Sequence, residues 1–79
     1  FLKVTVSLEM SSPDVRFELN KNIKKITDSI LLLLSTKVFK DVYSVQGKFT
    51  LKSEITTRTN QFLTKGVVKG AYFTEFIIQ

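Results

Sequence analysis

From Leu2 to Met10 the chain alternates without a fault. Leu2, Val4, Val6, Leu8 and Met10 are apolar, whereas Lys3, Thr5, Ser7 and Glu9 are not. A period of two places these sets on opposite sides of a pleated strand, so the segment predicts a β-strand with one buried and one wet face. A strand of this kind is stable only when something is packed over its apolar face.

Ser11, Ser12 and Pro13 end the strand and open a helix. Ser12 is placed to accept from free backbone N–H groups, Pro13 suits the first helical position, and Asp14 favours the positive end of the helix dipole. Val15, Leu19, Ile23, Ile26, Ile30 and Leu33 then recur at spacings of three and four. This stripe predicts one long helix from Pro13 to about Leu34, roughly 33 Å at 1.5 Å per residue. Lys21, Lys24, Lys25 and Asp28 fall off the stripe. Leu31 and Leu32 make the last turns apolar all round, which predicts cover on two sides there.

Ser35, Thr36 and Lys37 break the run, and Val38 to Tyr43 predicts one or two helical turns. Ser44 reads as the N-cap of a further helix reaching about Thr64, with Leu51, Ile55 and Phe62 on its apolar stripe and Glu54–Arg58 as an i,i+4 pair. Gly47 in its first turns costs about 1 kcal/mol relative to Ala, so a packing reason is expected there. Phe49 falls about 160° from the stripe, at 100° per residue. Gly66 and Gly70 bracket a loop or bulged segment, and Ala71 to Ile78 predicts the closing strand. By simple alternation its Phe73 and Phe76 point to opposite faces, both largely apolar, which predicts a strand covered more fully than the first.

The order β-α-(short α)-α-β therefore predicts an α+β fold: a small antiparallel sheet packed against two long antiparallel helices. A two-stranded ribbon keeps an exposed edge that invites another chain. A chain of 79 residues buries roughly 60–65% of the surface it exposes when unfolded, and such cores are often marginal. Self-association or an attached segment is thus an expected source of stability.

There is neither Cys nor His. Disulfides, thiolate or imidazole metal sites, Ser-His and Cys-His catalysis and a pH switch near neutrality are excluded. The seven acids form no spaced pair resembling a hydrolase dyad, and the three glycines make no phosphate loop. No catalytic, cofactor-binding or metal-ligating residue is expected. Twelve Lys and Arg against seven acids give +5 at neutral pH, which raises a nucleic-acid or anionic-membrane partner. Only two of those cations are Arg, Glu18 and Asp28 flank the Lys21–Lys25 stretch, and no aromatic platform accompanies it. A solvated helix face is the better account, and no nucleic-acid partner is expected. The longest apolar run, Ile30 to Leu34, is far short of the ~20 residues that span a bilayer. The chain starts at Phe1 and reads as a piece of a longer protein.

Phe39, Tyr43 and Phe49 gather around the connection between the predicted helices, with Lys48 beside them. Because Phe49 lies off its stripe, these four residues are the candidate protein-contact surface. The competing account is that the aromatics cap the helical hairpin as local core.

Four segments carry a family resemblance. They are Phe1 to Glu9; Ile30-Leu31-Leu32-Leu33-Leu34-Ser35-Thr36-Lys37 with Phe39 and Asp41; Gly47-Lys48 leading to Leu51, Lys52, Glu54, Ile55 and Asn60; and Tyr72 to Gln79. In this order, across essentially all 79 residues, the chain resembles the C-terminal periplasmic domain of the FliL family of flagellar basal-body-associated proteins. Gln46 and Ser53 stand where that family often carries acids. The resemblance implies a stomatin-like (SPFH) fold over residues 1–79, on the periplasmic side of the inner membrane at the flagellar basal body. It further implies an N-terminal membrane helix outside these residues, partners in the stator proteins MotA and MotB, and ring-like self-association when anchored. The role so implied is non-enzymatic support of torque, motility and chemotactic rotation. The alternatives are a stomatin-like membrane scaffold unrelated to flagella and a basic nucleic-acid-binding domain.

Overall fold

The computed structural model describes residues 1–79. Its elements are β1 (Leu2–Met10), α1 (Asp14–Lys21), α2 (Ile23–Ser35), α3 (Phe39–Tyr43), α4 (Val45–Asn60) and β2 (Val68–Ile78). The fold is α+β, and β1 pairs with β2 in one antiparallel two-stranded sheet. The alternation of β1 is reproduced residue by residue, with Leu2, Val4, Val6, Leu8 and Met10 half-buried and their neighbours exposed.

β2 departs from simple alternation. Thr5 pairs with Glu75 and Val6 with Phe73, leaving Thr74 as an extra residue; Glu9 pairs with Gly70 and Met10 with Val68, leaving Lys69 extra. Each bulge turns the following side chain to the other face. Val68, Ala71, Phe73, Phe76 and Ile78 therefore all face the helices, at spacings of three, two, three and two. Phe73 and Phe76, expected on opposite faces, meet edge to face with centroids 5.1 Å apart. The outer face is the polar one, where Glu75 accepts from Thr5 Oγ1 at 3.1 Å and pairs with Lys3 at 3.5 Å. Tyr72 and Ile77 are exposed there, so β2 is not covered on both sides as expected.

The single long helix expected from Pro13 to Leu34 is two helices, interrupted at Asn22. The Asn22 side-chain amide donates to the Glu18 carbonyl at 3.0 Å and to the Phe62 carbonyl at 3.5 Å, competing with the helical ladder and tying the break to the segment after α4. The break re-phases the stripe: Val15, Leu19, Ile26 and Leu33 are buried, but Ile23 is 50% exposed. Leu31 and Leu32, expected to be covered, are 58% and 59% exposed, because the sheet and α4 take only one side of α2. Ser12 gives no side-chain cap to α1. Ser11 instead joins the sheet ends, its N–H donating to the Val67 carbonyl at 2.9 Å while its hydroxyl accepts from Val67 N–H at 3.0 Å.

The core has two adjoining parts. One gathers Leu33, Val42, Leu51, Ile55 and Ala71; the other gathers Val15, Leu19, Ile26 and Val68. Leu8 and Ile30 pack against both. Fully burying a Leu or Ile side chain contributes about 1.5–3 kcal/mol, so this short list accounts for much of the driving force. α4 ends at Asn60, earlier than the expected Thr64, and Phe62 packs on the second part of the core from the loop.

Candidate protein-contact surface

α3 and the start of α4 form a tight elbow whose geometry is local. Asp41 accepts from Val38 N–H at 3.1 Å at the head of α3, and Ser44 accepts from Gly47 N–H at 2.9 Å as the cap of α4. Gly47 has the packing reason expected of it, since a Cβ there would lie 1.8 Å from the Asp41 carbonyl oxygen. With Val42 buried beneath, the outer residues of the elbow are turned to solvent.

Phe39 and Tyr43, one helical turn apart, stack with centroids 5.2 Å apart and 19° between planes, and both are exposed. Lys48 joins them through its ammonium, which donates to the Tyr43 carbonyl at 3.4 Å and lies 4.8 Å from the centre of the Phe76 ring. Phe49 is exposed as its position off the stripe predicts, but it does not join the stack. It faces β2, where Lys52 Nζ sits 5.3 Å from its ring and 5.6 Å from that of Tyr72. The four candidate residues are thus two neighbouring features: a Phe39–Tyr43 stack buttressed by Lys48, and a Phe49–Lys52–Tyr72 sandwich.

Sequence reasoning missed Lys52, Lys69 and Tyr72, which are brought together only by the packing of α4 on β2. Tyr72 is held by its hydroxyl, which donates to Glu9 Oε1 at 2.8 Å; that hydrogen bond and the carboxylate's charge raise the phenol's pKa above its ordinary value. The expected Glu54–Arg58 pair is also absent. Glu54 accepts from Lys37 Nζ at 2.7 Å, and Arg58 donates to the Ser29 carbonyl and hydroxyl at 3.3 and 3.4 Å. Partners on and just after α2 outcompete a helix-surface pair of only about 0.3–0.5 kcal/mol.

Asn60 clamps the end of α4 to the start of β2. Its amide Nδ2 donates to the Val68 carbonyl at 3.0 Å, and Val68 N–H donates to its Oδ1 at 2.7 Å. Glu18 makes the corresponding tie from α1. Its carboxylate accepts from Thr64 N–H at 2.8 Å, Thr64 hydroxyl at 2.7 Å and Lys65 N–H at 2.9 Å. These donors, the Lys65 N–H foremost, hold its pKa below the ordinary range. The two clamps fix the approach to β2 and hence its register.

The profile of the family described as flagellar basal body-associated protein FliL matches residues 1–79. The chain belongs to the FliL family. It is 33% identical over 79 residues to the flagellar protein FliL of Aquifex aeolicus (strain VF5), covering all of this chain and 49% of that protein. It is 28% identical over 78 residues to the flagellar protein FliL of Bacillus subtilis (strain 168), covering 99% of this chain and 56% of that one. The chain thus spans about half the length of the curated relatives it matches. No helix of this FliL chain is long and apolar enough to cross a membrane.

Proposed function

We propose that this chain is the periplasmic domain of an inner-membrane accessory protein of the bacterial flagellar motor. It associates there with stator units of MotA and MotB, and it supports torque, motility and chemotactic rotation without catalysing a reaction. The observation that carries this reading is family membership across the whole chain, joined to the exposed Phe39–Tyr43 stack on a rigid elbow. Exposed aromatics held in place have little conformational entropy left to lose, which suits them to anchor a contact. The family assignment favours this reading over a stomatin-like scaffold unrelated to flagella.

Anchoring is assigned to a helix N-terminal to these residues, consistent with relatives about twice as long as the matched region. Anchored copies experience a high effective concentration, and the two-stranded sheet has an open edge on each strand. Together these favour a ring-like homo-oligomer around the stator.

The experiment is in-cell photo-crosslinking from position 39, paired with swimming assays of Phe39→Ala and Phe49→Ala. The expected result is adducts with stator proteins and with the chain itself, and variants that melt like the parent but cross-link and swim less. Unimpaired swimming of a strain lacking the gene, together with no stator adducts, overturns the reading.

A further inference from the structure

Two depressions adjoin along the seam between α4 and β2. One, of about 390 Å³, is lined by Phe49, Lys52, Thr56, Lys69 and Tyr72 among others. The second, of about 210 Å³, is lined by Val45, Lys48, Phe49, Lys52 and Phe73. Phe49 and Lys52 belong to both, so the two make one groove, apolar at the α4 N-terminal end and cationic towards β2.

The charge of this groove is uncompensated. Of the chain's twelve cations, only Lys3 and Lys37 form an ion pair within 4.0 Å. The other three depressions each have an acid in their lining, Glu54, Asp41 and Asp28 respectively. The α4–β2 groove has no carboxylate in its lining. Glu9 borders the lining at Gly70, its ladder partner, and at Tyr72, whose hydroxyl engages its carboxylate. Lys52 is half-buried and held between two aromatic rings, so little side-chain freedom remains for a ligand to freeze. Lys69 is the extra residue of a bulge, an arrangement that re-aims a side chain out of the regular ladder.

We propose that this groove docks an acidic segment of a partner protein. An apolar side chain of that segment lies against Val45 and Phe73, and its carboxylates meet Lys52 and Lys69. The apolar end beside the two lysines favours a peptide that carries both apolar and acidic side chains over an anionic bilayer. Nucleic acid is disfavoured because the groove contains no Arg to fork onto phosphate. The proposal concerns binding by this chain alone and does not depend on the motor reading.

The test is an NMR titration of the ¹⁵N-labelled chain with a short synthetic peptide alternating Glu and Leu. The same peptide with Gln for Glu, phosphatidylglycerol–phosphatidylcholine vesicles and single-stranded DNA are run in parallel. Saturable shifts are expected in α4 from Phe49 to Thr56 and in β2 from Lys69 to Tyr72. Affinity is expected to fall about tenfold with Lys52→Glu plus Lys69→Glu and to stay within about twofold with Lys24→Glu on α2. If Lys52→Glu unfolds the chain, Lys69→Glu alone, at an exposed bulge, should still weaken binding about threefold. Absence of saturable binding, equal binding of the Gln peptide, equal loss with Lys24→Glu, or tighter binding of vesicles or DNA than of the peptide would each overturn the proposal.

Discussion

The helices α2 and α4 reverse the usual relation between composition and burial. α2 runs Ile-Lys-Lys-Ile-Thr-Asp-Ser-Ile-Leu-Leu-Leu-Leu-Ser, yet only Ile26 and Leu33 are buried. α4 is mostly polar, yet Leu51, Ile55 and Thr59 are buried. The difference lies in what each helix touches. α4 is laid along β2 and also meets α3 and α2, so its few apolar residues close the core, and even Thr59 is enclosed with its hydroxyl donating to the Ile55 carbonyl at 2.8 Å. α2 offers more apolar surface than its neighbours can cover. Apolar content sets what a helix can bury, and its neighbours set what it does bury.

The strongest way to break this comparison is to truncate one buried residue on each helix. Ile55→Ala on α4 and Leu33→Ala on α2 are each expected to cost about 2–5 kcal/mol, as measured by urea unfolding. Ile26→Ala belongs to the same class, since its side chain is equally enclosed. A parent-like midpoint for any of the three would show that the face assigned to its helix is wrong.

Gly47→Ala tests why α4 begins where it does. The added methyl must displace the Asp41 carbonyl, part of the α3 backbone, so the loss is expected near 3 kcal/mol, the upper part of the overpacking range. A gain from improved helix propensity would instead mean that the elbow opens freely in solution.

Asn60→Ala removes the clamp at the other end of α4. It leaves the Val68 N–H, on a buried residue, without its partner, and the expected cost is about 2 kcal/mol by thermal or urea melting. Asn60→Asp should retain part of the stability because its carboxylate can still accept from that N–H. If both variants match the parent, β2 does not depend on α4 for its register.

These sites also show what the sequence could and could not disclose. β1, the Ser44 cap and the Gly47 contact were legible because each is written within a few consecutive residues. The exposure of Phe49 was legible too, since an aromatic placed off a helix's apolar stripe has few places to hide, whereas that of Phe39 and Tyr43 was not, because packing at the helix connection accounted for them equally well. The break at Asn22 was not, because one of its partners, the Phe62 carbonyl, is forty residues away. Nor were the bulges at Lys69 and Thr74, which come from matching two strands that lie at opposite ends of the chain. An unbulged count therefore put Phe73 and Phe76 on opposite faces, and it gave no reason to group Lys69 and Tyr72 with Lys52.

Glu18 extends the comparison to α1, which is tied to the segment after α4 by a carboxylate instead of an apolar face. Its folded pKa lies below its unfolded value, so this tie stabilises the fold above the ordinary carboxylate range. The contribution is lost as pH falls from the unfolded value of about 4.5 through the lower folded one. Glu18→Gln should flatten the acid limb of the stability–pH curve between those values and lower stability at neutral pH. An acid limb identical to the parent's would remove Glu18 from the account.

The smallest expected effect is the most discriminating, because it separates neighbours of the same residue type. Leu32 and Leu33 are adjacent on α2, one 59% and the other 2% exposed. Leu32→Ala removes surface that is already largely wet and improves helix propensity slightly, so its effect is expected within about 0.5 kcal/mol. Leu31→Ala should behave the same way. Urea melts of both variants at low and high chain concentration provide the measurement. A loss approaching that of Leu33→Ala would mean that this face is covered in solution. If that loss also grows with concentration, as mass action requires when association stabilises the fold, the cover is a second copy of the chain. The unused apolar surface of α2 would then be part of an interface, and its contrast with α4 would hold only for the single chain.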